Sequence, residues 1–157
     1  MASSSSSLSL STRAARLNAG FARFVDRFQP LFALAIRLYV ARVFLLSGLT
    51  KIHDWNITIA LFENEYRVPV LSPAVAALLG TAAELGLPLL LILGLGSRFA
   101  ALALFAFNIV AVISYPDLSD AGLKDHMLWG ALLLVTLFNG PGKWSLDHLL
   151  GRRFGAQ

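Results

Sequence analysis

Leu71 to Leu95, LSPAVAALLGTAAELGLPLLLILGL, is a run of 25 residues with a single ionisable side chain, Glu84, near its middle. At about 1.5 Å rise per residue, a helix of this length crosses a hydrocarbon core roughly 30 Å thick with some tilt. A charge at the centre of such a helix costs roughly 2.5–3.5 kcal/mol on insertion scales. Glu84 must therefore be neutral or face something other than lipid. Ala77, Gly80 and Ala83 share its helical face, and small residues let a neighbouring helix approach closely. That puts Glu84 inside a bundle. Pro88, four residues on, removes the amide that would bond the Glu84 carbonyl and predicts a local distortion there.

The rest of the chain reads as the environment of that helix. Only 14% of its residues are charged and 57% are hydrophobic, against about 25% charged in an average soluble domain. Mean hydropathy is +0.69, and the apolar residues come in blocks. The pattern predicts an all-α integral membrane protein, a four-transmembrane-helix bundle with amphipathic interfacial helices at both ends. The spans fall at about 31–52, 71–95, 98–114 and 124–139 within a membrane domain of residues 29–150. The fourth is short, and must tilt little or begin earlier, near Ala121.

Residues 1–13 are Ser-rich and of low complexity, which predicts a disordered tail. Over residues 14–28, Leu17, Phe21, Phe24, Val25 and Phe28 recur at helical spacing with Arg16, Arg23, Asp26 and Arg27 between them. This predicts an amphipathic surface helix. Between the first two spans, residues 53–69 suggest a short interfacial helix with Trp55 and Tyr66 in the headgroup zone. Another surface helix follows the Gly140-Pro141-Gly142 break, before a basic tail at 151–157.

The net charge of +4 is small and dispersed, so nucleic acid is not an expected partner; the lipid bilayer is. Arg13, Arg16, Arg23, Arg27, Arg98, Lys143, Arg152 and Arg153 fall on one side of the predicted topology, and only Lys51, Arg67 and Lys124 on the other. This bias predicts a multi-pass topology with both termini cytoplasmic. The chain has no cysteine, which excludes disulfides, thiolate metal sites and an internal dithiol relay. Histidine spacing gives no metal site, and no nucleotide-binding loop is present.

Polar residues inside spans carry the functional question. Arg37, Arg42, Glu84 and Asn108 lie within spans, with Lys51, Asp125 and His126 at span exits. Intramembrane ionisable groups point to a functional site with a nearby partner. The competing reading is that Glu84 pairs with an arginine solely to fix helix packing, since buried pairs are often neutral for stability. A functional cluster could hydrogen-bond a quinone carbonyl or relay a proton, with His126 titrating near neutrality. Trp129, one turn further in, could stack on a flat ring or serve in an aromatic belt. Lys51 reads as a helix-end lysine snorkelling to the interface.

Arg37 followed by Gly48-Leu49-Thr50-Lys51 resembles the R…GxxK opening of the DoxX-like membrane protein family. The likeness continues with Glu84, with Leu93-Gly94-Leu95-Gly96-Ser97-Arg98, with His126, and with Gly140-Pro141-Gly142-Lys143-Trp144-Ser145-Leu146-Asp147, similar to a GPGxxSLD ending. It covers roughly residues 31–150. The resemblance implies a four-helix membrane protein of a mostly bacterial family, placed in the cell inner membrane. Some relatives are subunits of thiosulfate:quinone oxidoreductase or accompany quinol oxidases, and others belong to oxidative-stress complexes. The family's polar positions fall on Arg37, Lys51, Glu84, Arg98, His126 and Asp147; Arg42 and Asn108 rest on depth alone.

Three functional expectations follow. In the leading one the bundle binds a quinone or a similar redox-active, lipid-soluble molecule, with Glu84, Arg37 and His126 in the catalytic positions. Arg42, Lys51, Asn108 and Trp129 are then the binding residues. Glu84 with Arg37 or Arg42 would hold the head group, and Lys51 with His126 would flank an outer mouth where a small anion such as thiosulfate docks. The second is a non-catalytic subunit that anchors soluble or membrane oxidoreductase partners. The third is a small transporter. A homo-oligomer is left open.

Overall fold

The computed structural model describes residues 4–154, with side-chain surroundings at Arg13 and from Ala15 to Arg153. Six helices follow one another: α1 (Ser4–His53), α2 (Trp55–Asn64), α3 (Pro73–Leu93), α4 (Ser97–Ser114), α5 (Asp120–Asn139) and α6 (Leu146–Phe154). Ala15–His53 of α1, and α3, α4 and α5 in full, are long and apolar enough to cross a membrane. α1 packs mainly on α3, α3 on α4 and α4 on α5, and contacts between α1 and α5 close the ring. The protein is a multi-pass, four-helix membrane bundle.

The helix ends follow local chemistry. Pro73 opens α3 after the extended Ser72, because proline at a first helical position gives up only an orphan N–H. Gly94 ends it in the left-handed conformation (φ +69°), which glycine adopts without a Cβ penalty. The Ser119 side chain accepts from the Gly122 amide at 3.1 Å and starts α5 at Asp120. That resolves the shortness of the fourth span, which gains a turn at its start.

The beginning of the chain differs from expectation. Residues 4–13, read as a disordered tail, and residues 14–28, read as a separate surface helix, both continue α1 without a break; residues 1–3 lie outside the described residues. Extending an existing helix avoids the cost of nucleating a new one. Pro30 leaves the Asp26 carbonyl without its amide partner, but Asp26 is exposed, so its carbonyl is not sealed in the protein interior.

The two halves of the bundle are filled differently. Val40, Ala41, Phe44, Leu91, Ala100, Ala101, Leu104 and Leu133 form a dry core in the half nearer Arg37. In the half nearer His126, α2 lies across α3 through Phe62, Ala76 and Ala77, and cavities replace close packing. The Thr58 hydroxyl donates to the Lys51 carbonyl at 2.8 Å and ties α2 to the end of α1.

Gly48 sets the distance between α1 and α3. A Cβ there would lie 2.9 Å from Leu85 Cδ2 and 3.0 Å from Glu84 Cβ. Gly86, by contrast, faces open space. Gly48→Ala is therefore expected to destabilise the protein by about 1–3 kcal/mol through overpacking. Gly86→Ala is expected to be neutral or slightly stabilising, since glycine inside a helix costs about 0.5–1 kcal/mol relative to alanine. Thermal unfolding of both variants in the same detergent checks this contrast.

Candidate functional site

Glu84 meets Lys51, and neither arginine. Lys51 Nζ lies 2.7 Å from Glu84 Oε2 and 2.9 Å from Oε1, and donates its third hydrogen bond to Ser47 Oγ at 2.9 Å. Ser47 Oγ in turn donates to Glu84 Oε1 at 3.0 Å. The Lys51 side chain is only 11% exposed. Helical side chains lean toward the N-terminus of their helix, so a lysine near the end of α1 reaches back into the bundle instead of out to the interface. The outward snorkelling expected of Lys51 is corrected on that ground. With all three ammonium hydrogens engaged, Lys51 also has none left for a small anion at an outer mouth.

The arginines lie elsewhere. Arg42 is exposed on the outside of α1, because the buried face of that helix runs through Arg37, Val40, Ala41, Phe44 and Gly48 and residue 42 points away from it at 100° per residue. Arg37 is 1% exposed at the opposite end of the bundle from His126. Its Nη2 donates to the Trp144 carbonyl, while Nε and Nη1 have no partner among the described residues. The guanidinium packs on Gly94, where any Cβ would overlap it. Asp147 completes this end by accepting from the Gly96 and Ser97 amides at 2.7 and 2.9 Å, a carboxylate at the N-terminus of α4. Arg37 thus latches the chain's C-terminal segment to the α3–α4 turn and is removed from the Glu84 site.

His126 and Asn108 form a second polar pair. Asn108 Nδ2 donates to the His126 carbonyl at 3.0 Å, and Asn108 Oδ1 lies 2.7 Å from His126 Nδ1. The amide oxygen can only accept, so a neutral ring carries its proton on Nδ1 and presents Nε2 as an acceptor. Trp129 stands edge-on to the ring at 4.7 Å and to Phe44 at 6.0 Å, so it belongs to the interior.

Two cavities adjoin Glu84. One, of about 260 Å³, is mostly apolar and reaches from Lys51 and Glu84 past Phe62 and Phe107 to Leu79 and Val110, both exposed on the bundle's outer surface. The other, of about 300 Å³, is lined by Ser47, Tyr66, Glu84, Tyr115, His126 and Trp129 among others. Glu84, Tyr66, Phe107 and Ala111 border both. The structure brings together Glu84, Lys51, His126 and Trp129, with Asn108 behind the histidine, and leaves Arg37 and Arg42 out.

Ser47, Tyr66 and Tyr115 were not among the expected site residues. Ser47 was legible as the residue one turn before Lys51 on the same face. The tyrosines had no such signal, because the connector after α2 delivers Tyr66 onto Tyr115 (ring centroids 5.1 Å apart) and onto Phe62 (4.9 Å). Burial, followed by the charges of Glu84, Tyr115 and Glu65, raises the Tyr66 phenol above its ordinary value of 10.0. The Glu65 carboxylate, which accepts from the Tyr115 hydroxyl at 3.3 Å, raises Tyr115 as well. Both phenols remain O–H donors at neutral pH. Among the described residues, no group of three or more potential ligands is placed to hold a metal ion.

The DoxX family model matches residues 32–116, a stretch that includes Arg37, Lys51, Glu84, Asn108 and both tyrosines. An uncharacterized protein of Haemophilus influenzae is 34% identical over 126 residues, covering 74% of this chain and 82% of that protein. No solved structure matches.

Two outcomes are expected from this geometry. Removing one partner of a buried pair leaves the other uncompensated, so Lys51→Met or Glu84→Ala should each cost about 3–5 kcal/mol, while Lys51→Met with Glu84→Leu should recover most of the loss. A double-mutant cycle on unfolding in detergent measures this. Because the folded-state pKa of each phenol is raised, the stability contributed by their protonated forms is fully present below the unfolded value near 10 and is lost as pH climbs through the folded one. Phenolate absorbance in an alkaline titration should therefore appear late for Tyr66 and Tyr115, and Glu65→Gln should bring the Tyr115 step back toward 10.0.

Proposed function

The chain belongs to the DoxX family of membrane proteins, and we propose that it binds a quinone or a similar redox-active, lipid-soluble molecule beside Glu84. The observation that carries this reading is the pair of cavities that meet at Glu84, one walled by polar and aromatic side chains and the other apolar and leading to the lipid-facing surface. Such a division suits a flat polar head with a long apolar tail. Phe107, Tyr66 and Trp129 supply flat surfaces for a ring, and Leu79 and Val110 flank the exit for a tail.

A bound quinone would take up two electrons and two protons on reduction to the quinol, and the residues present fit its head group. Tyr66, held as a phenol, donates to a ring carbonyl. His126 Nε2 accepts from a ring hydroxyl, with Asn108 holding the imidazole in the tautomer that allows it. Glu84 accepts a proton on the cavity side while Lys51 offsets the charge of its carboxylate form. Arg37 and Arg42, outside the cavities, take no part in head-group binding. The chain has no cysteine and so no dithiol relay of its own, and in this reading a partner oxidoreductase subunit would exchange the electrons. The setting is membrane redox or oxidative-stress chemistry. The Lys and Arg bias supports cytoplasmic termini, and membership of this family supports a bacterial inner-membrane location.

Quinone binding to the protein in lipid nanodiscs tests the reading, with quenching of Trp129 emission as the signal and Trp129→Phe as the blank. A hydrogen bond to a charged group contributes about 1.5–3 kcal/mol, so Glu84→Gln is expected to weaken binding by about tenfold or more. Arg42→Gln should leave binding unchanged. Unaltered binding in Glu84→Gln and His126→Ala would sink the proposal and favour a non-catalytic anchoring subunit.

A further inference from the structure

Every described side chain from Arg13 to Phe28 is exposed. Contact with the bundle begins at Pro30 and Ala33, which meet Gly142: a Cβ on that glycine would lie 3.9 Å from Pro30 Cα and 2.8 Å from Ala33 Cβ. Residues 13–29 of α1 therefore leave the bundle as an unsupported arm of roughly 25 Å at 1.5 Å per residue. Leu17, Phe21, Phe24 and Phe28, spaced by four, three and four residues, make one apolar strip along it, and Phe24 and Phe28 pack edge to face at 5.2 Å. Arg13, Arg16, Arg23 and Arg27, spaced by three, seven and four, make a second strip immediately beside the first. Asp26 is the single acid of the segment and lies across the helix, and none of the four arginines is in an ion pair among the described residues.

An apolar strip flanked by a strip of unpaired arginines is the arrangement of a helix lying at a charged bilayer surface, with rings below the headgroups and guanidinium groups among the phosphates. The arm is covalently joined to a membrane span, so a bilayer surface is always within its reach. Pro30 sits where the arm leaves the bundle, and proline, which removes one hydrogen bond of the ladder, is the usual cause of a helix bend. We infer that residues 13–29 form a docking arm that turns at Pro30 and binds anionic phospholipid headgroups.

The absence of cysteine makes the test clean. A nitroxide is placed in the full-length protein at Phe21→Cys on the apolar strip, or at Ala19→Cys on the opposite face. The protein is reconstituted in nanodiscs of phosphatidylcholine alone or mixed with phosphatidylglycerol. With the anionic lipid, the label at 21 should be accessible to oxygen and shielded from a water-soluble nickel complex, and the label at 19 should show the reverse. That contrast should shrink several-fold in phosphatidylcholine alone, at high salt, and in the Arg16→Gln, Arg23→Gln, Arg27→Gln triple variant. A water-exposed label at both positions in every bilayer would overturn the inference. So would equal contrast in the two lipids, or dipolar broadening that grows with protein density, which would assign the strip to a second copy of the chain. An unchanged thermal midpoint in the labelled variants keeps these outcomes apart from misfolding.

Discussion

A carboxylate inside a membrane bundle is stable only if something offsets its charge, and Lys51 does so for Glu84. The rest of this half of the molecule is arranged to keep that pair. Gly48 lets α1 lie close to α3, Ser47 bonds both partners, and Thr58 fixes the end of α1 by holding the Lys51 carbonyl. A hydrophobic pair of the same volume would often serve stability as well or better. The position of the ion pair at the junction of two cavities, and not in the dry core, is what gives it chemical interest.

The bundle divides its polar residues between two tasks. At one end Arg37, Gly94 and Asp147 join the C-terminal segment to the α3–α4 turn, through the Arg37 guanidinium on the Trp144 carbonyl, the Asp147 amide on the Gly94 carbonyl and the Asp147 carboxylate at a helix N-terminus. At the other end Lys51, Glu84, His126 and the two tyrosines line the two cavities. The residues behind the DoxX resemblance fall on both sides of this division. In this chain they therefore mix latch residues with residues that line the cavities, and only their position in the bundle separates the two.

Much of this was legible in advance. Long apolar blocks separated by glycine and proline turns announced four spans, and the small residues beside Glu84 announced its inward direction. The site was read less well. Arg42 drew attention as a mid-span charge, although helical periodicity alone puts it opposite the face of Arg37 and Gly48. Arg37 is on the right face but at the wrong depth for Glu84. Lys51 was assigned to the interface because of its place near a helix end, against the lean of helical side chains toward the N-terminus. Tyr66 and Tyr115 could not be foreseen, since they are far apart in the chain and meet only because α2 folds back over α3.

The sequence by itself determined the class of protein, the number of spans and the need to bury Glu84, because each follows from the cost of moving polar groups into hydrocarbon along a single helix. The tertiary structure alone decided which cation answers Glu84, that His126 is held by Asn108, and that two cavities meet at the carboxylate. Those outcomes depend on the relative depth and rotation of neighbouring helices. Glycine contacts and inter-helix hydrogen bonds set that depth and rotation, and no pattern along one helix records them.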